Sequence, residues 1–155
     1  MSTVQLENPK ELGGVFLLLE EQFNEIRYGE FMEDVLAKLE EAHGQYFEAA
    51  AAPDGTAWAP LAPSTIAAKG HATILVEKDE MRRSVAMRTA DSIRDVIEQP
   101  GYGAAVFGTS DDKAARHMTG TANMPARPFV GMNEPQVDAL AEQAADEIVA
   151  QLIKE

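Results

Sequence analysis

Two prolines constrain this chain more than any other feature. Pro125 and Pro128 stand in the run HMTGTANMPARPFVG, His117–Gly131. Each locks its own φ near about −65° and pushes the residue before it, Met124 or Arg127, toward extended backbone. Met124–Pro128 is therefore expected to be a stiff, extended segment with few internal hydrogen bonds. Gly120 and Gly131 bracket it as turn points. A segment that loses little entropy on docking suits recognition better than catalysis. Two readings follow. Either the segment is an arm that presents Arg127 and then Phe129 to a partner, or it is a surface connection whose Phe129 sits in the chain's own core.

What stands around this segment determines which elements support it. The 155 residues are expected to form a single domain, 1–155, large enough to bury a sizeable core. No cysteine is present, so disulfides, thiolate metal sites and a Cys nucleophile are excluded. Residues 1–10 lack a signal pattern, and the longest apolar run, Val15–Leu19, is too short for a bilayer. The net charge of −13 is segregated: residues 1–50 hold eleven acids against three basic side chains, 51–132 hold nine of each, and 133–155 hold six acids against Lys154. So acidic a chain will not coat itself on DNA through nonspecific phosphate contacts.

Periodicity gives the order of elements. Thr3–Leu6 reads as a short lead strand. Asn8-Pro9-Lys10-Glu11 is a helix start, followed by Leu12, Val15, Phe16, Leu19, Phe23 and Ile26 at helical spacing. Gly29 is the expected break before a second stripe of Met32, Val35, Leu36, Leu39, His43, Tyr46 and Phe47. The two form either a helical hairpin or one long kinked helix. Pro53-Asp54-Gly55 is a turn, and a short helix begins at Ser64 or Thr65 and ends at Gly70. Trp58, the only tryptophan, is either a plug sealing the helical seam or an interface anchor. Asp79–Arg83 has room for one helical turn. Ser84–Thr89, Ser92–Glu98 and Ala104–Gly108 read as a small antiparallel meander. Asp111–Met118 is helical in composition. Asn133-Glu134-Pro135-Gln136 is a capping box that launches a terminal helix with Val137, Leu140, Ala144, Ile148 and Leu152 on one face. The fold class expected is α+β: helices, a small antiparallel sheet, then a C-terminal helix.

The search for chemistry yields no catalytic, metal or cofactor site. His43, His71 and His117 stand at no metal-motif spacing, and no GxSxG elbow, GxxxxGK[ST] loop or dinucleotide fingerprint occurs. His43, on an apolar helix face, reads as a satisfied core histidine. Arg82, Arg83, Arg88 and Arg94 concentrate positive charge. They can meet a neighbouring subunit's acidic helix or nucleic acid, or pair internally with Glu77, Asp79 and Glu80.

Two landmarks now stand in order, PDGTAWAPLAPSTIAAKG at 53–70 and AARHMTGTANMPARPFVGM at 114–132, with an Ile74–Ser84 run between them. Together they resemble the phage virion morphogenesis family, the Mu-like and related tail-completion or neck proteins. Pro53, Asp54, Gly55, Trp58 and Leu61 match its PDG-x-x-W-x-x-L turn. Ala115, His117 or its neighbours, and Gly120 match its YA-x-x-H-x-x-G element. Pro125, Ala126, Arg127, Pro128, Phe129 and Gly131 match PARPF-x-G. The chain departs from the pattern at Asp79-Glu80-Met81-Arg82 and at Lys113-Ala114. The resemblance covers about residues 30–150. It implies a non-enzymatic virion structural or assembly protein at the tail end or head–tail joint, found in the virion and, during assembly, in the bacterial host cytoplasm. Expected partners are further copies in a ring, hexameric as the reference case, other tail or neck proteins, and passing DNA, with no membrane and no cofactor. Trp58, His117, Met124, Pro125, Arg127, Pro128 and Phe129 are the expected interface, with Phe129 buried in an adjacent subunit. Glu20, Glu21 and Glu25 are expected to face the DNA passage. Two alternatives stand: a transient assembly factor, or an acidic regulatory or DNA-mimic protein with a basic partner.

Overall fold

A computed structural model of the chain describes residues 22–153. The lead strand at Thr3–Leu6, the helix start at Asn8 and the stripe from Leu12 to Leu19 lie outside those residues. Residues 22–25 are helical and 26–28 are not, so the helix that holds Phe23 ends before the second stripe begins. The break comes just before Gly29, where α1 (Gly29–Ala49) begins. Its first turn lacks a side-chain cap of its own. Glu98 supplies one from a distant strand, its Oε1 accepting from the Tyr28 and Gly29 amides at 2.9 and 3.2 Å. Val35, Leu36, Leu39, His43, Tyr46 and Phe47 are buried along one side of α1, as the spacing predicts, but the stripe starts at the buried Phe31 in place of the half-buried Met32.

The short helices follow: α2 (Pro63–Lys69) and α3 (Glu80–Ala86). The expected strand at Ser84–Thr89 is overturned, because its first half is the end of α3. Met81, Ser84 and Val85 lie at i, i+3 and i+4, and all three are buried as one helical stripe. Ser84 Oγ donates to the Met81 carbonyl at 2.8 Å, a local bond that only a helix provides. The meander is therefore a two-stranded hairpin, β1 (Ser92–Gln99) against β2 (Tyr102–Thr109), antiparallel with Gln99 opposite Tyr102. Arg94, Val96, Ala105 and Phe107 face α1. Ile93, Asp95, Ile97, Tyr102 and Val106 face outward. Two more helices complete the chain, α4 (Ala114–Thr119) and α5 (Glu134–Leu152). The capping box at Asn133 is present, with Asn133 Oδ1 accepting from the Gln136 amide and Gln136 Oε1 from the Asn133 amide, both at 2.9 Å. This is an α+β fold.

The core has two parts that meet at Phe107. An aromatic cluster at the C-terminal half of α1 joins Tyr46, Phe47, Trp58, Met81, Val85 and Phe129. An aliphatic one at its N-terminal half joins Phe31, Val35, Leu36 and Leu39, with Leu140 and Ala144 of α5 laid against it. Along α5 no residue is fully buried, and Val137, expected in the stripe, is 47% exposed. The arginine cluster is largely paired within the chain. Arg94 bridges Glu33 and Glu40 at 2.8 and 2.9 Å, Arg88 approaches Glu40, and Arg82 holds Asp79. The acids that meet Arg94 and Arg88 come from α1, and not from Glu77 or Glu80 as the local sequence suggests.

Candidate functional site

The turn after α1 is built by local chemistry. Ala50 adopts left-handed backbone at φ 51°, and the Ala52 carbonyl accepts from the Gly55 amide at 2.9 Å. Gly55 supplies φ 84°, and Asp54 Oδ1 accepts from the Thr56 amide, which holds the Asp54 carboxyl below its ordinary value. The chain doubles back, and the Trp58 amide donates to the Ala50 carbonyl at 2.8 Å. That delivers the indole edge-on to Phe47, with ring centroids 5.3 Å apart.

The second landmark arrives from α4. Gly120 ends that helix at φ 74°, and a Cβ there would stand 2.7 Å from the Ala126 amide nitrogen, so only glycine lets the two backbones come this close. Thr121 and Met124 exchange two backbone hydrogen bonds across a tight turn, and the Arg127 amide then donates to the His117 carbonyl at 2.7 Å. The diproline segment is thus stitched to α4.

Each landmark also donates a side chain to the backbone of the other. Trp58 Nε1 donates to the Pro128 carbonyl at 2.7 Å. Arg127 returns the bond, with Nε to the Ala59 carbonyl at 2.8 Å and Nη2 to the Pro60 carbonyl at 3.1 Å. Phe129 is fully buried against Phe47, with ring centroids 5.5 Å apart. The expectation of a projecting arm with Phe129 inside an adjacent subunit is corrected here, since the ring is sealed in its own chain. The physical reason is the two-residue period of extended backbone, which puts Arg127 and Phe129 on the same side. The prolines dictate extension but not which side faces the body, and that side faces inward. Trp58 is likewise buried as a plug. Pro128, His117 and Met124 are half-buried, whereas Pro125 is exposed on the rim.

His43 ties the end of the segment to α1. Its Nδ1–H donates to the Leu39 carbonyl at 2.6 Å, and Nε2 accepts from the Gly131 amide at 3.2 Å, which requires the neutral ring. Burial pushes its pKa down accordingly. The Gly131 bond had no signal in the sequence. Nor did the bond from Tyr46 Oη to Gln136 Oε1 at 2.7 Å, although Gln136 was visible as part of the capping box. Burial lowers the pKa of Arg127, and burial and then the Arg127 cation lower that of His117. Both side chains line a groove of about 800 Å³ that runs beside α2, the approach to α3, and α4. Among the described residues no three side chains converge as metal ligands.

The comparisons with known proteins follow the same stretch of chain. The model of the phage virion morphogenesis family matches residues 18–149, and so includes both landmarks and everything between them. No curated protein and no solved structure matches the chain at a significant level.

Proposed function

Because the chain belongs to the phage virion morphogenesis family and so takes part in virion assembly, we propose that it is a non-enzymatic structural component at the tail end or the head–tail joint. The observation that carries this reading is the use of the polar side chains in the two landmarks. Trp58, Arg127 and His43 commit hydrogen-bonding atoms to backbone groups of the same chain. Groups engaged in this way hold a shape and do not turn over a substrate.

Further partner surface lies outside the two landmarks. Ile93, Ile97, Tyr102 and Val106 stand exposed on the outer face of the hairpin, and Val137 and Val149 on α5. Exposed apolar side chains of this kind suit a part that its neighbours cover. In this reading the chain assembles with itself in a closed ring, hexameric in the simplest case, and meets other tail or neck proteins. It resides in the bacterial host cytoplasm until it is built into the virion. Closure requires a head-to-tail contact between copies. The net charge of −13 keeps passing DNA from adhering, and Glu25 is exposed, whereas Glu20 and Glu21 lie outside the described residues. No helix among the described residues is long and apolar enough to cross a membrane.

Mass spectrometry of purified particles, with native mass spectrometry of the isolated chain, tests the reading. The chain is expected in the finished particle and as a closed oligomer in isolation. Its absence from particles would instead favour a transient assembly factor. A monomer that captures a basic partner would favour an acidic regulatory or DNA-mimic protein.

A further inference from the structure

Resting on the reading that copies of the chain assemble, we propose that the groove beside Arg127 and His117 receives helix α5 of a second copy. Two halves of the molecule, each incomplete by itself, support this. The first is the groove. Arg127 is 4% exposed, and among the described residues it has no carboxylate within ion-pair distance, its side-chain bonds going only to backbone carbonyls. A buried cation without a counter-ion is costly, and an incoming carboxylate relieves it. The enclosed Nδ1 of His117, at the same wall, has no hydrogen-bond partner. Leu61, Leu75, Met124 and Pro125 make much of the remaining lining apolar. Of the acids along the groove, Asp79 is held by Arg82, Glu80 is near Lys113, and Asp111 accepts from the Lys113 amide. An amide bond does not neutralise Asp111, so Lys69, Lys78 and Arg127 stand against Glu77 and Asp111, a small positive excess along the lining.

The second half is α5. Over its 19 residues none is fully buried. Its exposed side carries Asp138, Glu142 and Asp146 at successive i, i+4 positions, with Ala141, Ala145 and Val149 exposed alongside. None of the three acids makes an ion pair among the described residues. A row of like charges at this spacing repels itself, and a partly apolar groove with a small positive excess and a buried, unpaired Arg127 relieves the repulsion and covers the valine. Groove and helix are different surfaces, so their contact is heterologous and propagates from copy to copy, as a ring requires.

The absence of native cysteine makes the test clean. Ser64, exposed on the groove wall, and Ala145, exposed on α5, are replaced together as Ser64→Cys and Ala145→Cys in the full chain, which is then oxidised. The expected result is a ladder of covalent species beyond the dimer on a non-reducing gel, absent from either single variant. In parallel, Glu142→Lys with Asp146→Lys is expected to raise the assembly midpoint concentration about tenfold in sedimentation. Adding Lys78→Glu is expected to recover part of that loss. Absence of the ladder, or an unchanged midpoint, in a chain that native mass spectrometry still records as an oligomer would overturn this contact and leave the assembly reading standing. A chain that stays monomeric at every concentration would overturn both.

Discussion

The two ends of α1 hold their surroundings in different ways. Around its C-terminal half, Phe47, Trp58, Phe129 and His43 combine burial with hydrogen bonds that cross between distant parts of the chain. Around its N-terminal half, α5 rests on aliphatic side chains through Leu140 and Ala144, with no fully buried residue of its own. The first region is closed by directional bonds that fit one partner backbone. The second rests mainly on apolar area, with polar ties at its margin from Gln151 to the Arg27 backbone and from Lys38 to Gln143, and much of its apolar surface still faces solvent. The difference separates two tasks, keeping a shape and offering a surface.

Truncation should expose the contrast most strongly. Phe129→Ala removes a fully buried ring and is expected to destabilise the chain by about 3–5 kcal/mol. Val149→Ala, at a position 54% exposed, should stay within about 0.5 kcal/mol. Urea unfolding of the two variants checks both, and similar losses would erase the distinction. A subtler change is Trp58→Phe, which keeps an aromatic plug but strips the donor from the Pro128 carbonyl. The expected loss is about 1–3 kcal/mol, seen as a lower denaturation midpoint with an unchanged slope.

Acid probes the same region through His43. Burial holds its native pKa below the ordinary 6.5, so the unfolded chain takes up the proton first as pH falls. The stabilisation is complete above pH 6.5 and is lost as pH drops from there toward the native value, by up to about 1.4 kcal/mol per pH unit. His117 shifts in the same direction, so His117→Gln separates the two contributions in unfolding curves at several pH values. A modest effect belongs to the other region. Asn133→Ala should cost about 1 kcal/mol by uncapping α5, read as lost helicity confined to that helix in hydrogen exchange.

Local signals carried much of this architecture. The stripe from Val35 to Phe47, the Asp54-Gly55 turn and the Asn133–Gln136 capping box each depend on residues within a turn or two of one another, so spacing alone reveals them. Ser84–Val85 was misread because an alternating pattern and a helical one share those positions, and the contact of Ser84 Oγ with Thr109 Oγ1 at 2.7 Å is invisible to either. The diproline segment was legible in its extension and illegible in its facing. Whether Arg127 and Phe129 look out or in is decided by the Ala59, Pro60 and Pro128 carbonyls, which are brought together from positions 67 to 70 residues apart. Such bonds leave no periodic trace. The resemblance to the family identified the landmarks as belonging together without saying that they touch.

Native-state hydrogen exchange on the isolated chain tests that mutual closure most directly. The Arg127 amide, bonded to the His117 carbonyl, and the Gly131 amide, bonded to His43, are expected to exchange only through global unfolding, in step with the core of α1, while central amides of α5 open at lower free energy. Arg127 and Gly131 amides that exchange as freely as an exposed loop, with α5 the better protected, would contradict the account.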